Sequence, residues 1–116
     1  MKQSKETFVA EVTTHYVVVH LKASSIRETS DAQKIISELD ELLAGFKADR
    51  VVMNFRRVNM VCSSFLGKLI ALDRSLKERG ISLRVCNLTP DVERAFKLLK
   101  LHKLLKLYPT QEKALK

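Results

Sequence analysis

The chain has 116 residues and a formal net charge of +8, with 46% hydrophobic and 29% charged residues. That length suits one ordinary domain, and that balance sustains a core and excludes a disordered chain. With 3 Gly and 2 Pro there is no low-complexity linker, and no apolar stretch approaches the ~20 residues of a membrane span. The polar start Met1-Lys2-Gln3-Ser4-Lys5-Glu6 lacks the apolar segment of a signal peptide. The expectation is therefore a cytoplasmic protein with Cys62 and Cys86 as reduced thiols. The positive charge leaves nucleic acid, an anionic membrane surface, an acidic protein or mere solubility open.

In chain order, Phe8–Val12 and Tyr16–Leu21 are rich in β-branched and aromatic residues and are separated by Thr13-Thr14-His15, which predicts a hairpin. Ser30-Asp31-Ala32-Gln33 reads as a capping box with Ser30 at the N-cap. Ile35, Ile36, Leu39, Leu42, Leu43 and Phe46 follow at helical spacing. Arg50–Phe55 predicts a buried parallel strand, and Arg56–Met60 a loop. A second helix is expected from Ser63 or Ser64 to about Arg79, with Phe65, Leu69, Leu72 and Leu76 on one stripe and Gly80 ending it. Ile81–Cys86 predicts another strand. Thr89 should cap a third helix with Pro90 first, Asp91 and Glu93 in its opening turn, and Val92, Ala95, Phe96 and Leu99 buried. Leu104–Leu107 predicts a last strand, and Pro109-Thr110 a short terminal helix. The order β-β-α-β-α-β-α-β-α implies a single α/β domain over 1–116. Its sheet should be mixed and mostly parallel, with an N-terminal β-hairpin at one edge and about four helices.

Catalytic constellations are not evident. His15, His20 and His102 have no metal-ligand spacing, so no metal is expected. Gly45, Gly67 and Gly80 cannot build a phosphate cradle, so no cofactor is expected either. No serine sits in a nucleophile elbow, and the chain is not expected to be an enzyme. The informative segment is the junction Cys62-Ser63-Ser64-Phe65-Leu66-Gly67, where two hydroxyls lie at the carboxyl end of a strand. Partner sites favour that edge of an α/β sheet. Spacing alone favours the plainer reading, in which one serine is the helix cap and the other is filler.

That junction resembles the STAS family, specifically its anti-sigma factor antagonist branch, in which a strand and loop lead into Asp-Ser-Ser-Gly-Leu-Gly. Here Cys62 stands for the aspartate and Phe65 for the first glycine. The resemblance continues through Leu69-Ile70-Ala71-Leu72, Lys77-Glu78-Arg79-Gly80 and Leu83-Arg84-Val85-Cys86-Asn87-Leu88. It then covers Thr89-Pro90-Asp91-Val92 and Leu98-Leu99-Lys100-Leu101, where Lys100 replaces a usual glycine, and Lys103-Leu104-Leu105. It implies a STAS-like fold and a partner switch. An unphosphorylated antagonist binds an anti-sigma factor that is also a serine kinase and so frees a sigma factor. The kinase phosphorylates the residue matching Ser63, and a serine phosphatase reverses this. The nucleotide belongs to the kinase. Asn59, Cys62, Ser63, Ser64, Phe65, Leu66 and Gly67 would form the partner surface. The alternative is a STAS scaffold that is not phosphorylated, serving a transport or lipid-handling complex, which Cys62 in place of aspartate favours. Phe65 is either an apolar anchor for the partner or a continuation of the buried stripe; its phase with Leu69 and Leu72 favours the stripe. Cys62 reads as a small buried thiol rather than a redox switch.

Arg94, Lys97, Lys100, His102, Lys103 and Lys106 alternate with leucines. A membrane surface, nucleic acid or an acidic partner would each suit them. The expectation is a solvated face whose leucines fill the core, without direct nucleic-acid binding.

Overall fold

The computed structural model describes residues 1–116. Its central constraint is visible in β3 (Tyr16–Leu21), where Val17, Val18 and Val19 are all fully buried. Successive strand side chains point to opposite faces, so a strand with three buried valines in a row must be covered on both sides. β2 (Phe8–Val12) pairs antiparallel with β3 across the expected hairpin, and an unforeseen β1 (Lys2–Ser4) pairs antiparallel with β2. On the other side of β3 lie β5 (Arg50–Asn54), β7 (Ser82–Cys86) and β8 (Lys106–Tyr108), all parallel. The six-stranded sheet has the order β1-β2-β3-β5-β7-β8. This is the mixed, mostly parallel sheet with an antiparallel N-terminal edge that the element order implies.

One face carries Phe8, Ala10, Val17, Val19, Val51, Met53, Leu83 and Val85 against three helices. These are α1 (Thr29–Ala44), α2 (Ser63–Glu78) and α3 (Pro90–Leu98). The alternate positions Val18, Val52 and Cys86 pack on the opposite face against Ala114 of α4 (Gln111–Leu115). Burial there pushes the Cys86 thiol up to about 11, so it behaves as a small hydrophobe. Arg84 donates to the Ala114 carbonyl at 2.8 Å, and Arg50 donates to that of Leu115. Each guanidinium also lies over an aromatic ring, Tyr108 at 5.8 Å and Tyr16 at 5.6 Å. Two cations at the negative end of a five-residue helix explain how so short an element stays docked.

Several ends differ from expectation. α1 starts earlier than the Ser30 box predicts. Glu28 is its N-cap and donates its backbone N–H to Asp31 at 3.2 Å, while Ser30 lies inside the first turn. The carboxylate at the third helical position decided the start. Thr89 does sit at the N-cap of α3, but its hydroxyl does not cap; it donates to the Val58 carbonyl at 2.7 Å. The last strand is shifted to Lys106–Tyr108 because Leu101–Lys103 form a turn of 3-10 helix. Gly80 ends α2 as expected, at φ +75. Its N–H reaches the Lys77 carbonyl at 3.0 Å and that of Ile81 reaches Leu76 at 2.8 Å, a Schellman closure.

Glu38 of α1 ties the helix layer to the sheet. It accepts from the Thr7 hydroxyl and from the backbone N–H groups of Thr7 at 2.9 Å and Glu6 at 3.3 Å. The Thr7 hydroxyl above all holds its carboxyl below the ordinary 4.5, against a smaller opposing effect of burial. A depressed folded pKa gives stability that is present above the ordinary value and lost as pH falls through the depressed one. Glu38→Gln should therefore have a lower urea midpoint than the parent at pH 7. The two midpoints should converge as the solution is acidified below pH 4.5. A gap that persists unchanged into acid would contradict this.

Candidate functional site

β5 runs out at Asn54, and the chain must cross from the sheet to the helix layer before α2. Three contacts hold that crossing. Asn54 Oδ1 accepts the Arg56 N–H at 2.9 Å and its Nδ2 donates to Gln111 at 2.9 Å. Val58 is fully buried, with its carbonyl held by Thr89. A separate two-stranded parallel pair then forms between β4 (Ser25–Ile26) and β6 (Met60–Val61). The Asn59 N–H reaches Ser24 at 2.7 Å and the Cys62 N–H reaches Ile26 at 2.8 Å. The start of α2 is thus fixed by the chain before α1 and by the start of α3.

Cys62 is the N-cap, with φ −90 and ψ 161, and no side chain caps the first turn. Ser63 and Ser64 therefore occupy the first and second helical positions, so neither serine is the cap. Ser63 is exposed and Ser64 half-buried. No acidic residue lies in this turn, so the positive end of the helix dipole and its unpaired N–H groups stand open beside the Ser63 hydroxyl.

Beneath the serines the helix is anchored by aromatic packing. Phe65 is fully buried, its ring 6.0 Å from that of Phe55, and Phe55 makes an edge contact with Phe96 at 5.9 Å. Leu66 is 3% exposed. Phe65 thus continues the buried stripe, as its phase with Leu69 and Leu72 favours, and the placing of Phe65 and Leu66 on the partner surface is corrected: both side chains are spent on the core. Asn59, Ser63 and Gly67 are exposed, and Cys62 and Ser64 are half-buried. Cys62, packed against the core edge, is less enclosed than the buried thiol expected of it.

The sequence reading missed Met60, which is 47% exposed on β6 two residues before Cys62. A two-residue strand has no periodicity to reveal which side chain faces out. It also missed the role of Thr89 in holding Val58, which depends on a contact between residues 31 positions apart. A β-carbon added at Gly67 would meet nothing within 4 Å, so packing within the chain does not require a glycine there. His15, His20 and His102 do not join the site, and no group of three metal-ligating side chains forms anywhere in the chain.

The fold and the junction define a small mixed-sheet α/β domain that presents a hydroxyl at the opening of a buttressed helix. The chain belongs to the STAS family: the family model of the STAS domain matches residues 7–114. It is similar to the anti-sigma F factor antagonist of Paenibacillus polymyxa, with 23% identity over 99 residues covering 85% of this chain and 83% of that protein. Among solved structures, a candidate anti-sigma factor antagonist from Thermotoga maritima has a TM-score of 0.79 at 19% identity, covering 95% of this chain and 92% of the other. The anti-sigma factor antagonist SpoIIAA in its unphosphorylated form has a TM-score of 0.75 at 22% identity, covering 93% and 92%. Its phosphorylated form, from Bacillus, has a TM-score of 0.67 at 21% identity, covering 93% and 96%. No helix of the chain is long and apolar enough to cross a membrane.

Two substitutions test the construction of the site. Cys62→Asp supplies the missing cap acceptor and should raise stability by about 1 kcal/mol, read from the urea midpoint. Phe65→Ala should cost about 3–5 kcal/mol through the cavity it opens. A neutral result for Phe65→Ala would mean that the aromatic cluster does not hold α2.

Proposed function

We propose that the chain is an anti-sigma factor antagonist of a partner-switching pathway, controlled by phosphorylation of Ser63. The observation that carries this reading is the exposed Ser63 at an uncapped helix start whose third and fourth side chains, Phe65 and Leu66, are buried. A hydroxyl so placed is reachable by a second protein and can be charged without disturbing the core.

The partner is an anti-sigma factor serine kinase. Ser63 Oγ attacks the γ-phosphorus of the ATP held by that kinase, ADP leaves, and a base on the kinase takes the hydroxyl proton. A phosphatase returns the hydroxyl by hydrolysis. The phosphate carries about −1.5 to −2 charges and meets the free N–H groups of α2, so the modified chain stays folded. The effect falls on the complex, where a bulky dianion must be desolvated between two proteins. The contact surface on this chain is Asn59, Met60, Cys62, Ser63, Ser64 and Gly67.

Gly67 supports the same surface. A glycine inside a helix costs about 0.5–1 kcal/mol relative to alanine, and no neighbour in this chain needs the space. The absent side chain leaves room for an approaching backbone.

Incubation with the cognate kinase and ATP should add one phosphate by intact mass, and Ser63→Ala should abolish it. A phosphate retained in Ser63→Ala removes Ser63 as the target. No phosphate on the parent chain favours the scaffold reading, in which Cys62 has replaced the aspartate of the family pattern. Ser63→Glu should unfold no earlier than the parent yet bind the kinase at least tenfold more weakly, about 1.4 kcal/mol. Gly67→Ala should gain about 0.5–1 kcal/mol of stability and lose affinity; equal affinity would place Gly67 outside the interface.

A further inference from the structure

The segment from Arg94 to Lys106 departs from its expected role. Leu101 and Leu105 enter the core, but Leu98, Leu99 and Leu104 are 76%, 55% and 52% exposed. Leu99, assigned to the buried face of α3 by its spacing, lies instead beyond the last helical turn. Three of the five large apolar side chains most exposed in the chain thus fall within seven residues. Clustered exposure of this kind marks an interaction surface, whereas single exposed leucines are ordinary.

Within the segment itself the charges have one sign, while Glu93, upstream on α3, lies beside Leu98. Arg94, Lys97, Lys100, Lys103 and Lys106 alternate with the leucines, and no acidic residue occurs between 94 and 106. Arg94 pairs with Asp91 and Lys97 with Glu93, both upstream on α3. Lys100, Lys103 and Lys106 take part in none of the ion pairs of the chain.

Lys100 adds a second, independent observation. It has φ +58 and ψ 28 at the turn that closes α3, with its N–H on the Lys97 carbonyl at 3.0 Å. That left-handed conformation favours glycine and is costly for a side chain with a β-carbon. Lys100 thus presents its ammonium from a turn that glycine would close with less strain.

We infer that Leu98, Leu99, Leu104, Lys100 and Lys103 form a peripheral docking surface for an anionic lipid bilayer, with the leucines inserted at the headgroup boundary and the lysines on the lipid phosphates. Composition favours lipid over protein. Protein interfaces are enriched in aromatic residues, methionine and arginine and depleted in lysine, whereas this patch is leucine and lysine. Lysine stems also reach outward past apolar surface while keeping the ammonium in the headgroup layer. Leu98, at 76% exposure, projects from the surface and borders only an open depression with Pro90, Glu93, Arg94 and Lys97. The inference does not depend on phosphorylation of Ser63.

The test uses the full chain and co-sedimentation with phosphatidylcholine vesicles, with and without phosphatidylglycerol. The parent should partition onto the anionic vesicles only, and added salt should release it. Leu98→Ser and Leu99→Ser together should lower partition at least tenfold without lowering the unfolding temperature, since both side chains are already solvated. Lys100→Gly should lower partition about fivefold, the weight of one lysine at such a surface, while raising the unfolding temperature as the backbone strain is relieved. Lys47→Gln, an exposed lysine outside the patch, should leave partition nearly unchanged. A parent chain that ignores anionic vesicles overturns the inference, as does equal loss from Lys47→Gln and Lys100→Gly, which would mean net charge alone. Self-association in sedimentation velocity that disappears with the leucine changes, without vesicle binding, would assign the patch to a second copy. Retention on immobilised polyglutamate without vesicle binding would assign it to an acidic protein. Either result overturns the lipid surface.

Discussion

The contact between Phe55 and Phe65 is the one on which the functional geometry depends. Phe55 is the first residue past β5, and Phe65 is the third residue of α2. Their rings meet at 6.0 Å, and Phe96 of α3 closes on Phe55 from another side. Three fully buried rings contribute large apolar area and preferred edge geometries at one point. That point joins the sheet to the two helices flanking the Ser63 junction. An uncapped helix end would otherwise fray. Here it is held from below by Phe65 and from the side by the β4–β6 pair.

This arrangement separates two tasks within one motif. In Cys62-Ser63-Ser64-Phe65-Leu66-Gly67 the residues alternate between the surface and the core within two turns of helix. Phe65 and Leu66 bind the chain to itself; Ser63 and Gly67 face outward. Phe65 therefore reinforces the fold and takes no part in the outer surface of the motif. Cys62 is different, because the N-cap position is where an aspartate would accept a helix N–H. With Cys62 there, the opening turn has no side-chain acceptor and no negative charge.

The C-terminal third works by opposite rules. Its apolar residues are divided between the core and the solvent, and Asn87 and Lys100 both take the left-handed conformation. At the other end of the same region, Arg50 and Arg84 hold α4 by its terminal carbonyls. Positive charge thus has two uses in this chain. Paired with aromatic rings and carbonyls, it seals the second face of the sheet. Unpaired among exposed leucines, it forms a surface.

The strands, the main helices and the α/β class were legible from the sequence because hydrophobic period is a local property. Alternation or a β-branched run marks a strand, a repeat near 3.6 marks a helix, and Gly80 marks an end. Ser63 and Ser64 were legible as candidates through the motif they share with the STAS family. The inward turn of Phe65 was already in its phase with Leu69 and Leu72; the tertiary structure alone decided which serine faces solvent and that Cys62 rather than a serine is the N-cap. It also decided that Met60 is exposed and that Leu98, Leu99 and Leu104 are left outside the core. Each of these turns on contacts between residues distant in the chain, such as Thr89 with Val58 or Ile26 with Cys62. A leucine's spacing states that it is apolar and on a given side of a helix; only the position of the neighbouring layers states whether anything lies there to cover it.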